Sequence, residues 1–173
     1  LGRTMAQTTE KEGKVRKLPA SAAETPAVHR PSRTSAAEKW VVKRNAYLQS
    51  SFQLRIAEIN RGASARDLLG AAEVLQVPRE RLYDLVGLSA STAKRKVAKN
   101  EKLDPHVTER LMQIGGVEKL AEDVFGDRDR ASEWLKTSNI SLGNVPPLSM
   151  LGTEIGRREV SRILNAIAYG GAA

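Results

Sequence analysis

Between Ser89 and Lys99 the chain reads SASTAKRKVAK. Hydroxyl side chains come first (Ser89, Ser91, Thr92), followed by Lys94, Arg95, Lys96 and Lys99. Hydroxyls can meet base edges or phosphate oxygens, and cations bind phosphates with release of counterions. On one helix, that order suits the element that enters a major groove, with small polar groups at its N-terminus and charge further along. A solvated basic surface is the plainer alternative. The last five residues, Tyr169-Gly170-Gly171-Ala172-Ala173, carry no charged side chain. Two glycines and two alanines make a peptide slim enough for a narrow opening, although small residues at a terminus also suit a frayed end.

Other chemistries lack their residues. The chain has no cysteine, so it has no thiol nucleophile, disulfide frame or thiolate-ligated metal. His29 and His106 are far apart and too few for a His-rich metal site. No Gly-rich phosphate loop follows a strand pattern, and Asp123, Asp127 and Asp129 read as helix-end charges rather than paired catalytic carboxylates. The expectation is a binding protein, not an enzyme, with no metal and no cofactor.

The charge is unevenly spread. The 173 residues carry a net +8. Residues 1–40 contribute +4, residues 41–102 +6 and residues 103–173 −2. A basic middle and a slightly acidic end suggest two tasks on one chain. No apolar run approaches the ~20 residues of a membrane helix, so an integral membrane protein is not expected, and the lack of cysteine is compatible with the expected location, a reducing cytoplasm. Leu1 to Thr4 precede Met5 and read as a tag remnant. Residues 6–37 are rich in Thr, Ser, Ala, Pro and Lys with almost no large apolar side chains, which predicts a flexible arm.

The elements that must position these residues are mostly helical. Large apolar residues begin at Trp40, but the stretch to Arg61-Gly62 has neither period 2 nor 3.6 and stays open between strand and helix. Ser64 is expected to cap a helix carrying Leu68, Leu69, Ala72 and Leu75, stopped before Pro78. A short helix from Pro78 carries Leu82, Leu85 and Val86 and ends at Gly87. Ser89 caps the basic helix. Asp104-Pro105 opens a longer helix, weakened at Gly115-Gly116 and ended at Gly126. Asp127 caps the helix of Ala131, Trp134 and Leu135, with Trp134 expected in the core. Residues 137–151 are turn chemistry. Thr153 caps a last helix with Ile155, Val160, Ile163, Leu164 and Ile167 on its inner face. The predicted fold class is all-α.

Residues 79–99 therefore read as helix, tight turn, helix. Two positions depart from the usual helix-turn-helix pattern: Tyr83 where a small side chain is common, and Ala93 where a larger anchor is common.

The segment from Ala131 to Gly170 resembles the C-terminal domain of Xre-type antitoxins from RES–Xre toxin–antitoxin modules, a domain shared with MbcA and ParS. The resemblance rests on Trp134, Leu135, Asn139, Leu142, Gly143, Pro147, Leu148, Leu151, Thr153, Gly156, Val160, Leu164, Ile167 and Gly170. Asn144 stands where a second Gly is frequent. With the helix-turn-helix, it covers roughly residues 54–173. It implies an antitoxin, forming a homodimer within a larger toxin–antitoxin complex. Its partner would be a RES-domain toxin that degrades NAD, and it would repress its own operon by binding operator DNA.

By position, the residues blocking the toxin's active-site entrance would be Tyr169, Gly170, Gly171, Ala172 and Ala173, with Arg157 and Arg158 as further toxin contacts. The terminal carboxylate of Ala173 could pair with cations that bind the phosphates of NAD. The implied DNA contacts are Ser89, Ser91, Thr92, Lys94, Arg95, Lys96 and Lys99. The domains would be residues 1–39 (tag remnant and arm), 40–102 (helix-turn-helix) and 103–173 (toxin binding and dimerisation). The alternative is a transcriptional regulator whose C-terminal domain only dimerises.

Overall fold

Ser35 starts the first helix. Its hydroxyl accepts from the Glu38 N–H at 3.0 Å, and the Glu38 carboxylate accepts from the Ser35 N–H at 2.7 Å, a complete capping box. Helix α1 (Ala36–Gln49) thus begins ahead of the expected onset at Trp40. The computed structural model describes residues 1–2 and 34–170, so the expectation of a flexible arm falls almost wholly outside the described residues. After Ser50-Ser51 comes α2 (Phe52–Arg61). The stretch with no clear period is therefore two helices. Its pattern was obscure because α1 buries a charged residue, Arg44, while α2 has no fully buried residue at all.

Helix α3 (Asp67–Leu75) packs against α1 through small residues. A Cβ at Gly70 would lie 2.7 Å from Trp40 Cβ, so the two backbones meet closely there. Ser64 does not cap α3. The N-cap position is Arg66, without a side-chain bond, and the Ser64 hydroxyl instead donates to Asn100 Oδ1 at 2.7 Å. There it fastens the start of α3 to the chain leaving the basic helix, beside the bridge Ser64–Lys102.

Then follow α4 (Arg79–Val86), α5 (Ala90–Lys99), α6 (Pro105–Phe125) and α7 (Arg128–Lys136). A 3-10 turn at Ile140–Leu142 leads to the short α8 (Pro147–Met150) and to α9 (Glu154–Ala168). The described residues form helices and two isolated bridges, an all-α fold. No helix among them is long and apolar enough to cross a membrane.

The spine is α6, which packs on α1, α2, α3 and α4 and also on α7 and α9. The core around it contains Leu68, Leu75, Leu82, Leu111, Ile114, Leu151 and Ile163. Gly115-Gly116 has a packing role in mid-helix. The Trp40 indole lies against Gly115, and Trp40 Nε1 donates to Glu118 Oε2 at 3.1 Å. Arg44, fully buried, pairs with Glu118 and, at 2.9 Å, with Glu122. Burial pushes the Glu118 carboxyl up to about 7, against the opposing pull of Arg44 and Trp40.

Helix α9 follows its expected cap, with Thr153 Oγ1 accepting from the Gly156 N–H at 3.1 Å. Val160, Ile163 and Leu164 are buried, but Ile155 is 76% exposed and Ile167 40%. Ile155 falls outside the i, i+3, i+4 stripe set by Gly156, Val160 and Ile163, while Ile167 continues that stripe in the last turn of α9, where it is exposed; both correct the expected inner face. Trp134 is half-buried rather than fully in the core, its ring tilted against Phe125 at 5.5 Å.

Candidate functional site

A Schellman motif forms the turn between α4 and α5. Leu88 N–H donates to the Tyr83 carbonyl at 2.8 Å, and Gly87 N–H to the Asp84 carbonyl at 3.0 Å. Gly87 has φ +78°, the left-handed conformation this motif requires at its turning residue. Leu88 is buried, and Ser89 then caps α5 by accepting from the Thr92 N–H at 3.3 Å. Tyr83 and Ala93 both lie in the core, so the unusual large and small residues are accommodated inside. Ala93 is the one fully buried residue of α5, which leaves most of this helix's surface in water.

The seven residues expected to meet DNA separate into three groups. Ser89 and Ser91 are exposed at the helix start, whereas Thr92 is half-buried and its hydroxyl accepts from Ser89 Oγ at 2.9 Å. Lys94, Arg95 and Lys99 are exposed. Lys94 pairs with Glu80 on α4 at 3.1 Å and Arg95 with Glu101 at 2.5 Å, surface pairs that phosphate can displace cheaply. Lys96 differs. Its side chain is only 13% exposed, and its Nζ donates to the Lys102 carbonyl at 3.2 Å with Asp104 at 3.6 Å. Lys96 fastens the end of α5 to the following loop. Two cations missed in the sequence join the surface: Arg79 and Arg81 are exposed on α4 and, with Lys99, have no ion-pair partner among the described residues. Their spacing around Leu82 on the preceding helix was the available signal.

At the other end, the residues expected to meet a toxin also separate. Tyr169 is 87% exposed, and Gly170, at φ +68°, turns the chain away from the helical path. Gly171, Ala172 and Ala173 lie outside the described residues. Arg158 is exposed, its only ion pair among the described residues a 3.5 Å contact to Glu154. Arg157 is not a surface arginine. It is buried, donating to the Leu151 carbonyl at 2.7 Å and to Gln113 Oε1 at 2.6 Å, so it fastens α9 to α6 and to the end of α8. Its guanidinium is held below the usual arginine range by burial first and by neighbouring Arg110 second.

The turn before α8 is built by Asn139, whose side chain accepts from the Ser141 N–H at 2.9 Å and whose backbone bridges to Val145. Ile140, 85% exposed, projects from that turn. The three aspartates have local roles: Asp123 pairs with Lys119, Asp127 caps α7, and Asp129 accepts from Gln76 at 2.6 Å.

Two family profiles match this arrangement. The antitoxin Xre-like helix-turn-helix domain matches residues 54–114, and the antitoxin Xre/MbcA/ParS C-terminal toxin-binding domain matches residues 120–170. The two matches meet inside α6, so that helix serves both. The Prs ADP-ribosylating antitoxin of Sphingobium sp. (strain YBL2) is 31% identical over 125 residues, 67% of this chain and 79% of that one. An antitoxin Xre of Photorhabdus laumondii is 31% identical over 87 residues, 50% of this chain and 59% of its own. An antitoxin Xre of Yersinia enterocolitica is 27% identical over 95 residues, 54% and 64% of the two chains. This chain thus spans about three fifths of the last two relatives. With a helix-turn-helix at α4–α5 and a toxin-binding domain ending in α9, the chain belongs to the Xre/MbcA/ParS family of antitoxins.

Proposed function

We propose that this antitoxin silences a RES-type toxin that consumes NAD, by lodging Tyr169 to Ala173 in the entrance of the toxin's catalytic cleft. The observation that carries this reading is the end of α9. A helix anchored by Val160, Ile163, Leu164 and Arg157 delivers an exposed Tyr169 and a left-handed Gly170 directly into solvent. An anchored base keeps the ordering cost of the inserted segment low. The name of the Sphingobium relative, a Prs ADP-ribosylating antitoxin, supports NAD-dependent chemistry in the toxin, since ADP-ribosyl transfer draws on NAD. Arg158 and Ile140 lie on the rim of that contact, and the antitoxin acts where the NAD pool and the operator are, in the cytoplasm.

The second activity is repression of its own operon. Helix α5 enters the major groove with Ser89 and Ser91 foremost, while Lys94, Arg95 and Lys99 meet phosphates. Two copies on a two-fold symmetric site read one half-site each.

The test is co-expression with the toxin. A chain ending at Ala168 is expected to bind the toxin more weakly and to leave cellular NAD falling, while the full chain holds NAD constant. Full protection by the truncated chain would refute occlusion by the tail, and absence of protection by the full chain would favour a regulator whose C-terminal domain only dimerises.

A further inference from the structure

The exposed side of α5 is divided into three lanes. At about 100° of rotation per residue, Ser91, Arg95 and Ala98 fall within ~60° of one another. Their lane lies about 170° from Ala93, the fully buried residue of the helix, and is therefore the part of α5 farthest from the core. Lys94 and Lys99 stand about 70° to either side of it. These five residues are exposed, whereas Ala90, Thr92, Lys96 and Val97, nearer to Ala93, are half-buried. A helix of ~10–12 Å diameter fills a major groove ~12 Å wide, with its outermost lane over base edges and its flanks against the two phosphate walls.

The middle lane holds one long side chain, Arg95, between two short ones. Arg95 Nη1 donates to Glu101 Oε1 at 2.5 Å, and its other N–H groups have no partner among the described residues. Glu101 itself stands on a fixed mount. Its N–H donates to the Lys96 carbonyl at 2.9 Å, and its carbonyl accepts from the Ala65 N–H at 2.9 Å. Its second carboxylate oxygen lies 4.0 Å from Lys96 Nζ. One edge of the guanidinium is thus tied to the loop that leaves α5, and the other edge is open.

We infer that Arg95 reads a guanine on the floor of the major groove, with Glu101 as the positioning residue that presents the open edge of the guanidinium to the base. Guanine offers two acceptors, O6 and N7, matched to that planar fork, whereas adenine places a donor where guanine has O6. A phosphate oxygen would have to displace Glu101 to gain the full charge of Arg95, but guanine needs the edge that Glu101 leaves open. Ser91 and Ala98 are short enough for the helix to approach the bases closely. Lys94 and Lys99 keep the phosphate walls. This inference rests on the proposed operator binding and moves Arg95 from the phosphates to the base edges. The toxin has no part in it.

The probe is a pool of random-sequence duplexes of ~20 base pairs, from which the full chain selects its sites. The wild type is expected to return an invariant G·C pair in each half-site, and an A·T pair there should cost roughly 5- to 150-fold in affinity. Deaza substitution at guanine N7, which removes one acceptor, should cost part of that. Arg95→Ala, with an unchanged thermal melt, should bind the two duplexes alike and keep its salt dependence. Lys99→Ala should keep the guanine preference and flatten the salt dependence. Glu101→Ala should narrow the preference, and Glu101→Gln, whose amide oxygen still accepts, should restore it. An Arg95→Ala chain that still prefers the guanine overturns the assignment. So does an equal loss on every sequence with a flatter salt dependence, which makes Arg95 a phosphate contact. An unchanged preference in Glu101→Ala overturns the positioning role. These three results leave operator binding standing, whereas a wild-type chain that retains no duplex from the pool overturns both readings.

Discussion

The indole of Trp40 lies so close to Gly115 that a Cβ there would come within 2.7 Å of Cζ2. The neighbouring Gly116 has its nearest atom, Leu48 Cδ2, at an ordinary 3.7 Å. Two adjacent glycines in one helix thus have opposite worth. Gly115→Ala is expected to destabilise the fold by about 1–3 kcal/mol through overpacking. Gly116→Ala gains up to ~1 kcal/mol of helix propensity. Chemical denaturation of the two variants should shift the midpoint in opposite directions.

The partners of Trp40 lead to a pH dependence. Burial raises the folded-state Glu118 carboxyl to about 7 from an ordinary value of 4.5, so the native chain holds a proton there that the unfolded chain has released. Glu122, Arg44 and Arg128 act on the same carboxyl, with burial the largest influence. The stability this proton contributes is complete below about pH 4.5 and is lost as pH rises through 7. Glu118→Gln has no such proton. Between pH 5 and 7.5 the Tm of the wild type is expected to fall relative to that variant, and parallel curves would show that Glu118 titrates normally.

For DNA, the partition of cations is the prediction. Lys94→Glu and Lys99→Glu are expected to weaken operator binding without loss of stability, each flattening the log–log salt dependence by ~0.9. Lys96→Glu acts differently. Placing an anion near Asp104 and Glu101 loosens the end of α5, so the thermal midpoint falls along with the affinity. Fluorescence anisotropy over a salt series, paired with thermal melts, separates the two classes.

Adjacent arginines on α9 make a similar contrast. Arg157→Ala removes two bonds and strands the Leu151 carbonyl and the Gln113 side chain, at a cost of about 2–3 kcal/mol. Arg158→Glu should leave stability within ~0.5 kcal/mol and reduce toxin affinity. Denaturation and a pull-down with the toxin read the two effects separately.

These contrasts mark what the sequence could convey. Local signals were legible: the caps at Ser89, Asp127 and Thr153, and the turn at Gly87, depend on residues two to five apart and appear as expected. Long-range pairing was not legible. Arg44 meets its carboxylates 74 and 78 residues away, and its charge broke the apolar pattern that would have marked α1 as a helix. Ile155 reads as core because apolar type does not report which side of the stripe a residue occupies, and Ile167 because its spacing does not report that the last turn of α9 is exposed. Arg157 and Arg158 are identical in type and adjacent in sequence, so only packing against Gln113 and Leu151 distinguishes them.

The 21 residues of α6 run as one unbroken helix from the segment matched by the helix-turn-helix profile into the segment matched by the toxin-binding profile. Hybrids that join the front of this chain to the back of a relative must therefore be cut in phase along that rod. A splice longer or shorter by a single residue would wind one end about 100° relative to the other, and each half would fold correctly yet face the wrong way.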